Sequence, residues 1–119
     1  MSSQSRKHRG YRSQRVAAEH LAAHGFPHAE PVGAGRAGSD ITGTPGIDWE
    51  VKARRGLDLP GLMAQLEERA QDGVLGIGLI RPDGMGEKSV GRWPAVLCFD
   101  DVIALLRAAG YGMPPEEES

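Results

Sequence analysis

Two short segments hold most of the chemistry that this chain's residue types can support. They are Gly38-Ser39-Asp40-Ile41 and Trp49-Glu50-Val51-Lys52, with Glu50 ten residues after Asp40. Alternate side chains of an extended strand share a face. Asp48, Glu50 and Lys52 therefore project together, while Trp49, Val51 and Ala53 point the other way. The apolar set must face the core. What remains is two acids and a lysine on the opposite face, with Asp40 brought beside them across a hairpin. This acidic cup with one ammonium at its edge suits a hard cation such as Mg²⁺, which takes one or two carboxylates, a carbonyl, retained waters and a phosphate oxygen. Held by Asp40 and Glu50, such an ion polarises a phosphodiester oxygen and acidifies a bound water. Lys52 can then orient the attacking water or stabilise charge on the pentacovalent phosphorus. The same alternation also fits a solvated strand in which Glu50 and Lys52 form an exposed pair worth under about 1 kcal/mol.

The elements that must position these residues are readable from breakers and periodicity. A helix is expected over 10–24, stopped by Gly25 and Pro27. Its apolar stripe contains Tyr11, Ala17, Ala18, Leu21 and Ala22. Gln14 falls inside that stripe and Glu19 lies roughly 140° away. Strands are expected near 29–32, 39–42 and 47–53, with Thr44-Pro45-Gly46 as a tight turn between the last two. Asp58 and Pro60 announce a second helix over 60–72, with Leu62, Leu66 and Ala70 apolar and Gly73 as its stop. Strands buried on both faces are expected at 74–81 and 94–99, joined by a glycine-rich loop, 82–91. Asp100 is expected to cap a last helix, in which Val102, Leu105, Leu106 and Ala109 repeat with helical spacing up to Gly110. The order predicts an α/β domain with a mixed sheet flanked by helices.

Charge is distributed unevenly along the chain. The 119 residues carry a formal net charge of −2, which by itself argues against a nucleic-acid partner. Yet Arg6, Lys7, Arg9, Arg12 and Arg15 lie in the first fifteen residues without a single acid. Glu116, Glu117 and Glu118 stand in an acidic tail, 113–119, without which the charge is +1. A basic, flexible arm at 1–9 on a near-neutral body at 10–112 suits phosphate binding, although the same arm also reads as a solvated tail. The longest nearly apolar stretch, Val74–Ile80, is far short of the roughly 20 residues of a membrane span. No secretory signal is expected at the N-terminus. Cys98 is the single cysteine, so an intramolecular disulfide is excluded and a buried, inert thiol in a cytoplasmic protein is expected.

A helix, Gly38-Ser39-Asp40-Ile41, a turn, Trp49-Glu50-Val51-Lys52, then a helix and a strand together resemble the PD-(D/E)XK nuclease superfamily. Within it the likeness is to small Holliday-junction resolvases of archaeal and phage type. It covers residues 9–81 and extends to 109. The resemblance implies a restriction-endonuclease-like αβββαβ core and Mg²⁺-dependent hydrolysis of DNA phosphodiesters, with Mn²⁺ as the alternative ion. It implies metal binding by Asp40, Glu50 and the Val51 carbonyl, Lys52 as the catalytic lysine, and a bacterial or phage-infected cytoplasm. Two positions depart from the pattern. Ser39 replaces the name-giving proline, and Gln14 stands where the resolvases place a helix glutamate, eleven residues before Gly25. Gln14 is thus the expected helix corner of the site, without a charge. That leaves three readings: a junction resolvase, a repair or restriction-type nuclease of the same superfamily, or an inactive DNA-binding module.

The remaining candidates are peripheral. Arg54 and Arg55 follow the catalytic strand and are placed to clamp phosphates. Gln65 on the second helix and Lys88 beside the glycine-rich loop are further candidates for the site and the DNA. His20 and His24 have chelating spacing but no third ligand. The loop lacks the Lys-Thr ending of a nucleotide-binding loop, so no nucleotide cofactor is expected. Trp49 reads as core, and Trp93 as either edge packing or base stacking. A four-way junction has approximate two-fold symmetry, so a homodimer is the expected assembly, reading phosphates and shape.

Overall fold

Caps and glycines set the element boundaries that bring the two key segments together. The computed structural model describes residues 3–33, 38–53, 56–69 and 73–113, with side chains from Gly10 onward. Helix α1 spans Ser3–Ala22. It begins well before residue 10, because nothing in residues 3–9 breaks a helix, and the expected arm is helical backbone from Ser3. Gly25, at φ +106°, lets the chain reverse, and the Phe26 N–H returns to the Leu21 carbonyl at 3.0 Å.

Strands β1 (Glu30–Pro31) and β2 (Ile41–Thr42) form an antiparallel pair separate from the main sheet. The single sheet expected from the strand order is therefore interrupted between β2 and β3 (Ile47–Lys52). The cause is local. The Trp49 N–H donates to the Ser39 hydroxyl at 2.8 Å, so a side chain replaces a backbone ladder partner. One main-chain link survives, from the Asp40 N–H to the Trp49 carbonyl at 2.8 Å.

Asp58 caps helix α2 (Leu59–Arg69), its carboxylate accepting the Gly61 N–H at 3.1 Å. The helix carries the chain back to β4 (Leu75–Ile80), which pairs parallel with β3 in the register Glu50↔Gly78. Leu62 and Leu66 are buried against β4, and full burial of each contributes about 1.5–3 kcal/mol. Glycines make this close approach possible. A Cβ at Gly78 would lie 2.8 Å from the Leu62 Cδ2. On the other face of the sheet, Ala17 and Ala18 of α1 meet Ile41, Trp49 and Trp93, with Ile77 and Leu79 packed alongside. Tyr11, expected on that stripe, is exposed.

The C-terminal third departs most from expectation. The second half of the expected loop, with Arg92 after it, forms a 3₁₀ turn, Glu87–Arg92. The strand expected over 94–99 shrinks to β5 (Ala95–Val96), antiparallel to β4, and Ala95 is exposed. Because the chain leaves the sheet so early, helix α3 (Phe99–Ala108) starts at a Cys98 cap and not at Asp100, which lies inside its first turn. Cys98 is only half-buried, which corrects the expected buried thiol. No residue of α3 is buried. The result is a single α/β domain with a mixed three-stranded sheet and flanking helices. Among the described residues no helix is long and apolar enough to cross a membrane.

Candidate functional site

Ser39 and Asp40 are fastened along one edge of β3. The Ser39 hydroxyl donates to the Ile41 carbonyl at 2.7 Å while accepting from Trp49, which fixes the turn of chain that presents Asp40. The Asp40 Oδ2 then accepts the Val51 N–H at 2.7 Å. A strand residue sends its N–H and C=O to the same edge. The Val51 carbonyl therefore opens on the edge where Asp40 lies. The Lys52 carbonyl leaves by the other edge, where it accepts the Arg81 N–H at 2.8 Å. Burial raises the Asp40 pKa above the ordinary carboxylate value. The Val51 N–H opposes that rise, the Glu50 charge adds to it, and Arg69 and Lys52 oppose it.

Around Asp40 lies a compact charge network on the α2 side of the sheet. The Lys52 Nζ is 3.1 Å from the Glu50 Oε2, and the two side chains are only 15% and 12% exposed. This pair is shielded, unlike the solvated pair that alternation alone also allows. The Arg69 guanidinium donates to the Glu50 Oε1 and to the Gly38 carbonyl, and lies 3.2 Å from the Asp48 Oδ1. Among the described residues, the Asp48 Oδ1 and the Arg69 Nε nevertheless have no hydrogen-bond partner. A pocket lined by Lys52, Leu57, Asp58, Gly61, Leu62 and Gln65 opens next to the pair.

The structure thus gathers Asp40, Glu50, Val51 and Lys52, and puts Gln65 with Lys52 at the pocket rim. Gln14, on α1, is half-buried, and its Oε1 accepts the Gly33 N–H at 3.3 Å; it makes no described contact with Asp40, Glu50 or Lys52 side chains. Val32, the neighbour of Gly33, donates to the Asp40 carbonyl at 3.0 Å. Glu19 is exposed. Arg12 ion-pairs with Glu87 at 2.7 Å, while Arg15 and Lys88 are exposed. The side chains of Arg6, Lys7 and Arg9, and all of Arg54 and Arg55, lie outside the described residues. Trp93 is buried and donates its indole N–H to the Gly86 carbonyl at 3.2 Å, with the Arg81 guanidinium over its ring, so packing and not base stacking is its role.

Arg69 is the site residue that sequence reasoning missed. A signal for it existed, because Leu62, Leu66 and Arg69 recur at i, i+4 and i+7. The stripe that seats α2 on the sheet therefore also turns Arg69 toward β3.

Hard oxygen donors are what a divalent ion needs, and Asp40, Glu50 and the Val51 carbonyl supply them in kind. The buried Asp40 carboxyl and the unsatisfied Asp48 oxygen are groups that an added cation would relieve. Arg69 supplies positive charge there in its place. Among the described residues no three His, Cys, Asp or Glu side chains are already grouped as a metal cage. Comparison with known proteins gives no match to a family model, a curated protein or a solved structure.

Proposed function

We propose that this chain is a metal-dependent DNA endonuclease with a restriction-endonuclease-like core, acting on branched DNA as a Holliday-junction resolvase does. The observation that carries the reading is the hydrogen bond from the Val51 N–H to the Asp40 carboxylate, which docks Asp40 beside Glu50 and Lys52. Asp40, Glu50 and the Val51 carbonyl would hold Mg²⁺ or Mn²⁺. When bound, the ion supplies Lewis acidity at a phosphodiester oxygen and an acidified water. Lys52, at the rim of the pocket, orients the attacking water and stabilises the developing negative charge. Gln65, on the same rim, is placed to hydrogen-bond a phosphate oxygen. Gln14 steadies the Val32–Gly33 backbone that carries Asp40. Releasing the Glu50 Oε1 requires Arg69 to turn aside, which leaves its guanidinium available to a flanking phosphate. Arg15 and Lys88 are exposed, so they can take further phosphates, with Arg6, Lys7, Arg9, Arg54 and Arg55 as additional candidates.

A second reading has its own support. Both Glu50 oxygens are engaged by cationic side chains, and Gln14 brings no charge, as expected of a DNA-binding module without cleavage. Incubation of the chain with labelled four-way junction, flap and linear duplex in Mg²⁺ tests the proposal. Paired, symmetric nicks in the junction support the resolvase. Preferential flap or duplex cleavage assigns another nuclease activity, and tight binding without nicking assigns the inactive module.

A further inference from the structure

Arg69 stands where a cation beside Glu50 would stand, and its fit there is incomplete. The guanidinium donates to the Gly38 carbonyl and to the Glu50 Oε1, and its Nη2 lies 3.2 Å from the Asp48 Oδ1. Lys52 lies 3.1 Å from the Glu50 Oε2, so both oxygens of that carboxylate are engaged. Yet among the described residues the buried Arg69 Nε has no acceptor and the buried Asp48 Oδ1 has no donor. A buried polar atom without a partner raises the free energy of the arrangement that contains it. Both atoms gain partners when the guanidinium moves outward. A phosphate accepts two parallel N–H bonds from the arginine fork, the Nε–H among them. The retained waters of a divalent ion donate to a neighbouring carboxylate oxygen such as the Asp48 Oδ1. Arg69 has an open side for this movement, because it is the last residue of α2 and its side chain is 25% exposed.

We infer that Arg69 is a gate operated by a DNA phosphate: in the free protein it excludes the divalent ion from Glu50, and a backbone phosphate draws it off as the ion enters. The inference rests on the metal site of the proposed nuclease and adds the order in which that site fills. Charge explains why neither ligand opens the gate well alone. A phosphate that removed the guanidinium without an ion would leave Asp48 and Glu50 shielded, with Lys52 as the one described cation at Glu50. A buried charge deprived of its partner is strongly unfavourable. An ion entering without DNA would have to displace a guanidinium that has only water to receive it. With both ligands present, the ion offsets the acids and the phosphate receives the arginine fork. Metal and DNA therefore bind with positive coupling, and such coupling is reciprocal: each tightens the other by the same factor. The free protein holds the ion weakly, and the site is completed on DNA.

Two binding measurements on the full chain test it, with wild type, Arg69→Met and Arg69→Gln each shown by a cooperative unfolding transition in EDTA to be folded. The first titrates Mn²⁺ alone into DNA-free protein and follows the unbound ion by electron paramagnetic resonance. Either variant should bind Mn²⁺ about tenfold or more tightly than wild type, because the competing guanidinium is gone. The second measures the affinity for a labelled four-way junction by fluorescence anisotropy, in EDTA and in Ca²⁺ at matched ionic strength. Ca²⁺, another hard cation with oxygen ligands, should tighten wild type about tenfold or more beyond its effect on the variants, which have no guanidinium to transfer. Equal Mn²⁺ affinity in wild type and variants overturns the gate while leaving the nuclease reading intact. A Ca²⁺ effect on junction binding that is the same in all three proteins does likewise. Absence of Mn²⁺ binding in all three, with no nicking of any DNA, removes the metal site and overturns both.

Discussion

Replacing Arg69 with methionine keeps helix propensity and length while removing the guanidinium from three carbonyl and carboxylate contacts. Asp48 and Glu50 would then stay shielded, 15% and 12% exposed, with Lys52 at 3.1 Å as the one described cation left to offset the Glu50 charge. Removing one partner of a fully buried pair costs about 3–5 kcal/mol. Arg69 itself is 25% exposed, and solvent screening reduces the expected loss to about 2–3 kcal/mol. In a domain of this size that lowers the midpoint of thermal unfolding by about 6–15 °C, readable by circular dichroism in EDTA. Mg²⁺ provides the decisive second reading. With the guanidinium gone, a cation can take its place between the acids. At tenfold excess over its Kd, it should restore about 1.4 kcal/mol to the variant. The wild type should gain less, because Arg69 already occupies the Glu50 Oε1. An Arg69→Met midpoint within a degree or two of wild type would refute the reasoning about the network. A variant that responds to Mg²⁺ no more than wild type does would refute the link between Arg69 and a cation site.

Other outcomes follow from the same geometry. The Asp40 pKa is raised by burial, so its contribution to stability is fully present below the unfolded carboxylate value and is lost as pH rises through the raised folded one. Asp40→Asn should therefore be more stable than wild type at pH 7 in EDTA, with the gap closing toward pH 3–4 in urea titrations; a less stable variant at pH 7 contradicts this. Gly78→Ala places a Cβ 2.8 Å from the Leu62 Cδ2. It should lose about 1–2 kcal/mol net of the gain from removing a strand glycine, and a raised midpoint would show that α2 does not sit where described. Changing Arg6, Lys7 and Arg9 together to alanine should flatten the log–log salt dependence of junction binding by about 2.7, and an unchanged slope would leave those residues solvated.

Elements and their order were legible because caps, breakers and periodicity are local properties. Asp58, Gly25 and Thr44-Pro45-Gly46 act through their own few residues, and they mark the same boundaries in the structure. The Asp40–Glu50–Lys52 grouping was legible for a related reason, since strand alternation fixes a face and a short hairpin fixes a neighbour. Arg69 was not, because its distance from Glu50 depends on how closely α2 approaches β4, and that approach is set by glycines elsewhere, Gly76 and Gly78. The fate of α3 was illegible for a different reason. Its periodicity shows that one face needs burial, but no pattern within a single chain states which surface provides it. Trp93 was ambiguous until the Gly86 carbonyl and the Arg81 side chain appeared around its ring.

Cleavage of a labelled four-way junction in Mg²⁺, wild type against Glu50→Gln, tests the central claim most directly. The wild type should nick two opposed strands at symmetric positions and leave linear duplex largely uncut. Glu50→Gln should bind the junction as tightly as wild type while its nicking rate falls by at least about 100-fold. Asp40→Asn, expected to be the more stable protein at neutral pH, should lose cleavage without losing its fold. Absence of nicking by the wild type on junction, flap and duplex alike, in both Mg²⁺ and Mn²⁺, would contradict the claim.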